Sequence, residues 1–177
     1  VNTNKIRATL AFFSVVFLVI ILSIACVSTP PQYTAPIVRV IEKEMIFKKS
    51  FNSVWEKTVE WFATHNMPIK HIDKNSGFIS TEYSLTNPTL FMDCGQGEPS
   101  SGGEIRIGNH SGNFNILVKK MNDYSTKVTI NSSFSAISHY YGYRCLNCPL
   151  ELLSSGKINC VSSGELEKQI FNFISSK

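Results

Sequence analysis

The sequence predicts an α+β fold: a single antiparallel sheet of four to six strands with two helices packed on one face, in the order β-α-β-β-β-β-α. Three patterns predict it. Phe51, Val54, Trp55, Thr58 and Phe62 recur at helical spacing; Ile105-Ile107, Phe114-Ile116-Val118 and Val128-Ile130 alternate with polar neighbours; and Leu166, Ile170, Phe173 and Ile174 form an apolar stripe near the carboxyl end. The chain has 177 residues, 43% hydrophobic and 17% charged, with only 10 Gly and 7 Pro. That composition excludes collagenous and low-complexity architecture, and the length suits one domain.

Val and Ile enrichment from Ile37 to Phe47 predicts a long first strand. A helix follows, with Ser53 and Glu56 as a candidate capping box and Ser50 and Asn52 as competing caps; Asn66 and Pro68 stop it. Pro68–Ile72 and Gly77–Tyr83 read as two short strands joined by the turn-forming run Asp73-Lys74-Asn75-Ser76-Gly77. Asn87–Gly103, with two Pro and four Gly, reads as a long surface loop carrying Cys94. Asn122, Asp123 and Ser125 mark a tight turn between the alternating strands, and Ser138–Cys160 reads as a second irregular segment. In the last helix Ser162 and Glu165 suggest a capping box, and Val161 and Leu166 a hydrophobic staple.

Upstream of this domain lies a targeting pattern. Lys5 and Arg7 precede the apolar run Leu10–Leu22, broken only by Ser14, and small residues follow at Ser23 and Ala25. This is the signature of a secretory signal. The 19 residues from Ala8 to Cys26, at about 1.5 Å each, also match a hydrocarbon core of about 30 Å, so an uncleaved anchor is the competing reading. Leu22-Ser23-Ile24-Ala25-Cys26 resembles a bacterial lipobox, with Ser23 where such boxes usually carry Leu. The resemblance implies cleavage before Cys26, a diacylglyceryl group on its thiol and acylation (palmitate) of the new amino terminus, enough lipid for stable anchoring. Val27 stands where an aspartate is associated with inner-membrane retention, which implies an outer-membrane location facing the periplasm. The expected organisation is residues 1–25 as signal peptide, 26–36 as a lipidated, proline-broken tether, and 37–177 as the folded domain.

Without Lys5 and Arg7 the charge balance is 15 basic to 13 acidic residues, and no basic run exceeds the pairs Lys48-Lys49 and Lys119-Lys120. Nucleic acid is therefore not an expected partner. With Cys26 assigned to lipid, Cys94, Cys145, Cys148 and Cys160 remain, and an even count in an oxidising space favours two disulfides. Of the three connectivities, Cys94 with Cys160 and Cys145 with Cys148 is preferred. The first ties the long loop to the last helix and, in the chain-entropy model, is worth roughly 4 kcal/mol; the second needs only a local turn.

Phe51–Glu82, with Val54-Trp55 and then Asp73 to Gly77-Phe78-Ile79-Ser80-Thr81, resembles the start of the BamC-like helix-grip domains of bacterial envelope lipoproteins. Cys160-Val-Ser-Ser-Gly-Glu-Leu-Glu before an amphipathic helix, paired with Asp93-Cys94-Gly95, resembles small exported lipoproteins. The resemblance implies a helix-grip-like arrangement and an envelope location, and brings no catalytic residues.

The residues themselves point to no catalytic chemistry. Cys145-Leu-Asn-Cys148 has redox spacing, but Pro149 and the short stretch before Gly156 leave no helix to lower a thiolate pKa. Cys145, Cys148, Cys160 and His139 have zinc-ligand chemistry, against which export to a thiol-oxidising space argues. His65, His71 and His110 are isolated; the serines lack a nucleophile elbow, and Gly95-Gln-Gly97 lacks the third glycine of a dinucleotide loop. The expectation is a non-enzymatic lipoprotein of the bacterial cell envelope, without metal or cofactor, held to the membrane through lipid on Cys26 and acting as a binding or scaffolding module for an envelope protein. The alternative is a periplasmic carrier of a small apolar ligand in a helix-sheet gap lined by Trp55, Phe62 and Tyr83.

Overall fold

A computed structural model describes residues 29–84, 88–145 and 148–176, with side chains omitted for residues 82–84, 88 and 89. The residues expected to form a signal segment and lipobox, Cys26 included, fall outside the described residues. In chain order the elements are β1 (Gln32–Thr34), β2 (Glu44–Phe47), α1 (Phe51–Thr64), β3 (Ile69–Asp73), β4 (Phe78–Ser84), α2 (Pro88–Phe91), β5 (Met92–Asp93), β6 (Gln96–Glu98), β7 (Gly103–Asn122), β8 (Ser125–Tyr143), β9 (Leu150–Ser162) and α3 (Glu165–Ser175). The fold is α+β, and its pairings are antiparallel. The main sheet has seven strands rather than four to six, in the order β3-β4-β7-β8-β9-β5 with β2 as a further partner of β8, and β1 and β6 form a separate ribbon.

The two longest strands organise the rest. Along one edge β8 pairs with β7; along the other, Thr126–Thr129 pair with β2 and Phe134–Tyr143 pair with β9. One edge is thus shared by two strands, which corrects the long strand expected over Ile37–Phe47. Beyond the bond from Ile130 N to Lys43 O the place beside β8 belongs to β9, so the chain before Lys43 leaves the sheet and Ile37, Val38 and Val40 are exposed.

Register explains why β7 reads as two strands in the sequence. The β7–β8 pairing slips by one residue between Gly108 and Ser111, where Asn109 takes φ 49°. This bulge reverses the alternation: Phe114, Ile116 and Val118 point to the core after it, and Ile105 and Ile107 share that face before it. Two other segments read as irregular are built. Asn87–Gly103 contains α2, β5 and β6 and buries Met92 and Cys94; Ser138–Cys160 continues β8 and forms β9.

α1 is capped by Ser50, whose Oγ accepts from Ser53 N at 3.4 Å, so the Ser53–Glu56 box is not the start. Its inward face is Val54, Trp55, Thr58, Trp61 and Phe62, and the Phe62 ring stacks on Phe114 at 5.6 Å. α3 lies on the same face, where Phe171 meets Phe47 at 6.2 Å between ring centroids. Its expected capping box is replaced: Gly164 at the N-cap takes φ 86°, and Glu165 N donates to Ser163 Oγ at 3.3 Å. Ser162 instead serves Glu167. This carboxylate, 1% exposed, accepts from Ser132 Oγ at 2.7 Å and Ser162 Oγ at 3.0 Å, tying α3 to β8 and β9. At the other end of α3, Lys49 Nζ donates to the carbonyls of Ile174 at 2.7 Å and Ser176 at 2.9 Å, a cation where the helix dipole is negative.

Glu167→Ala should strand two part-buried hydroxyls and cost about 1–3 kcal/mol, while Glu167→Gln keeps an acceptor and costs less. Thermal melts of the two variants check this, and equal loss from both would refute the hydrogen-bond account. The Glu44 carboxyl is held below its ordinary value by hydrogen bonds from Lys127 and Thr129 and by the Lys127 charge. Its stabilising effect is therefore present above the unfolded value of 4.5 and lost as pH falls through the lower folded value. Glu44→Gln should flatten that part of the acid limb in a stability-against-pH curve; an unchanged limb would show that the pair contributes nothing.

Candidate functional site

The most elaborated concavity lies where β5, the turn after it and the start of α3 meet the free segment before β2. Asp93 Oδ1 accepts from Gly95 N at 2.8 Å, closing a tight Asx turn. Tyr33 OH donates to Cys94 O at 2.8 Å. Burial raises the Tyr33 phenol above its ordinary value and the Asp93 carboxylate adds to the shift, so the hydroxyl stays protonated as a donor. Gly95 has φ 74°, and a Cβ there would run into Thr34 O; a glycine is required for β1 to lie against the turn. The Cys94–Cys160 disulfide, with Cα atoms 4.2 Å apart, fixes this turn to β9.

Beside the turn opens a cleft of about 490 Å³, bordered by Ile37, Arg39, Asp93, Ile107, His110 and Ser163 among others. Most of its polar groups are already engaged. Asp93 holds Gly95 N, the Ser162 hydroxyl serves Glu167, and Ser163 Oγ donates to Leu90 O at 2.7 Å. Arg39 and His110 have no hydrogen-bond or ion-pair partner among the described residues. A guanidinium and an imidazole beside apolar side chains can hold a ligand; a serine activated by a neighbouring base is not part of this arrangement. Among the described residues no group of three or more His, Cys, Asp or Glu side chains is placed to hold a metal ion.

The residues singled out in the sequence do not converge on one site. Cys145 and Cys148 form a second disulfide at the β8–β9 connection, with Cα atoms 5.1 Å apart. The ten strand steps from Leu150 to Cys160 set the two bridges roughly 30 Å apart along β9. Cys160 lies across from Phe134 and His139 across from Ser155, so the zinc set Cys145, Cys148, Cys160 and His139 is not assembled. Trp55 and Phe62 are 6% and 1% exposed. The space between α1 and the sheet is filled by Trp61, Phe62 and Phe114, which meet ring to ring, so Trp55 and Phe62 are core residues and do not border an open gap. Tyr83 pairs through its backbone with Gly112; its side chain is outside the described ones. Cys26 is outside the described residues altogether. Sequence reading missed Arg39 and Glu167, and gave His110 no role: single polar residues carry no local pattern, and only the departure of residues before Lys43 from the sheet sets Arg39 near His110.

Comparison of the chain with family models, with curated proteins and with solved structures finds no match. Among the described residues no helix is long and apolar enough to cross a membrane.

The two bridges differ in access. Cys145 is exposed and Cys148 half-buried, whereas Cys94 is buried beside Met92. Mild reductant followed by alkylation of the folded protein should label Cys145 and Cys148 first; simultaneous labelling of all four in peptide mass spectra would contradict it.

Proposed function

We propose that this chain is a non-enzymatic lipoprotein of the bacterial cell envelope, anchored through acyl chains on Cys26 and facing the periplasm from the outer membrane. Its helix-grip-type body acts as a binding or scaffolding module for another envelope protein. The observation that carries the reading is the division of the five cysteines: four are joined in the bridges Cys94–Cys160 and Cys145–Cys148, and the remaining one, Cys26, directly follows Ala25 at the end of the apolar run. Disulfides fit an oxidising compartment, and the unpaired thiol stands where a lipobox is cut and acylated. The expected core face is occupied by the protein's own rings, which favours a surface-binding module over a carrier with its ligand between helix and sheet.

Intact mass of the protein purified from bacterial membranes tests this reading. The expected species begins at Cys26, carries a diacylglyceryl and a further acyl group, and lacks two hydrogens for each bridge. Cys26→Ala should leave an uncleaved, unacylated chain. Recovery of the native sequence with no acyl mass and with free thiols would overturn the proposal.

A further inference from the structure

The fold gathers at one end of the sheet lysines that are scattered in the sequence. Val118 N donates to Gly77 O at 2.8 Å, which sets the β3–β4 turn against β7, and Lys74, Lys119 and Lys120 border one shallow cleft there. Thr126 Oγ1 donates to Lys49 O at 3.0 Å, which brings Lys48-Lys49 to the same end of β8. Residues 44–50, 73–77 and 119–127 carry the six lysines Lys48, Lys49, Lys74, Lys119, Lys120 and Lys127 and the three acids Glu44, Asp73 and Asp123, a surplus of three positive charges in a chain whose surplus from Cys26 onward is two. The remainder of the protein is therefore slightly acidic, and the positive charge is polarised to this end.

Three of the six are already committed: Lys49 to the end of α3, Lys120 to Asp123 at 2.6 Å, and Lys127 to Glu44 at 3.2 Å. Lys48, Lys74 and Lys119 are exposed and have no ion pair among the described residues. Lys119 stands directly across the ladder from Lys127, a like-charge pairing that costs stability. Between these charges the β7–β8 turn projects two apolar side chains, Met121 at 53% and Tyr124 at 83% exposure. A tyrosine suits the headgroup level of a bilayer, and lysines near it are drawn to anionic headgroups.

We propose that this end of the sheet docks on a phospholipid bilayer of negative surface charge, with Met121 and Tyr124 entering the headgroup layer and Lys48, Lys74 and Lys119 meeting phosphates. Gly102 N donates to Thr29 O at 3.0 Å, so the chain coming from Cys26 reaches the body at the start of β7. The turn lies at the other end of that strand, a contour of about 60 Å away. The docked bilayer is accordingly one facing the anchoring membrane. That geometry rests on the lipoprotein reading; the dependence on lipid charge does not.

The test uses the full chain reconstituted into phosphatidylcholine vesicles and offered a second, labelled vesicle population. Capture should be strong when the second population contains phosphatidylglycerol, weak when it is phosphatidylcholine alone, and should fall as salt is raised. Lys74→Glu with Lys119→Glu should lower capture about tenfold or more, Tyr124→Ser with Met121→Ser should also lower it, and Lys119→Arg should retain it; all positions are exposed and Lys119→Glu relieves the repulsion with Lys127, so none of the variants should melt lower. Equal capture of both lipid compositions, or full capture by the charge-reversed variant, overturns the proposal. If the chain does not float with the first vesicles, the anchor reading fails instead, and direct binding to the anionic vesicles then decides the docking surface by the same variants.

Discussion

The β7–β8 ladder is the interaction on which the rest of the body depends. Its inward row, Phe114, Ile116 and Val118 against Val128 and Ile130, is fully buried, and both long helices close over it. Removing those side chains from water stabilises the fold by about 1.5–3 kcal/mol apiece before conformational entropy is counted. β4 extends the sheet from β7, while β2 and β9 divide the outer edge of β8, so every other strand of the main sheet takes its register directly or indirectly from this pair.

Much of this plan is legible in the sequence because it follows from periodicity. α1, the β3–β4 hairpin, the turn at Asp123-Tyr124 and α3 all announce themselves by spacing and turn chemistry, and their positions shift by only a few residues in the structure. Longer-range decisions are illegible. Nothing local in Ile37–Lys43 says that β9 will take its place at the sheet edge, and the bulge at Asn109 breaks a period that would otherwise mark β7 as one strand. The first turn of α3 misleads for a related reason: Ser162 and Glu165 have the spacing of a reciprocal cap, but a buried carboxylate at Glu167 competes for the same hydroxyl.

The cysteine arithmetic and the surface charges behave in opposite ways. Setting Cys26 aside leaves four cysteines and only three pairings, and a local turn at Cys145–Cys148 with a tie from the Asn87–Gly103 segment to the last helix singles out the one that forms. Charges offer no such enumeration. Lys48-Lys49 and Lys119-Lys120 are unremarkable pairs in the chain and become neighbours only because β2 and the β7–β8 turn meet at one end of the sheet. The cleft with Arg39 and His110 likewise depends on one segment leaving the sheet and one residue of bulge.

The pairing of β2 with β8 has a consequence for how such a molecule is made. Glu44 pairs across to Thr129, and Met92 to Ser162, so β2 and β5 have no ladder partners until most of the polypeptide has emerged. Contacts this distant in sequence form slowly. A polypeptide built this way leaves those two strands as loose ends of the sheet until its second half has been made.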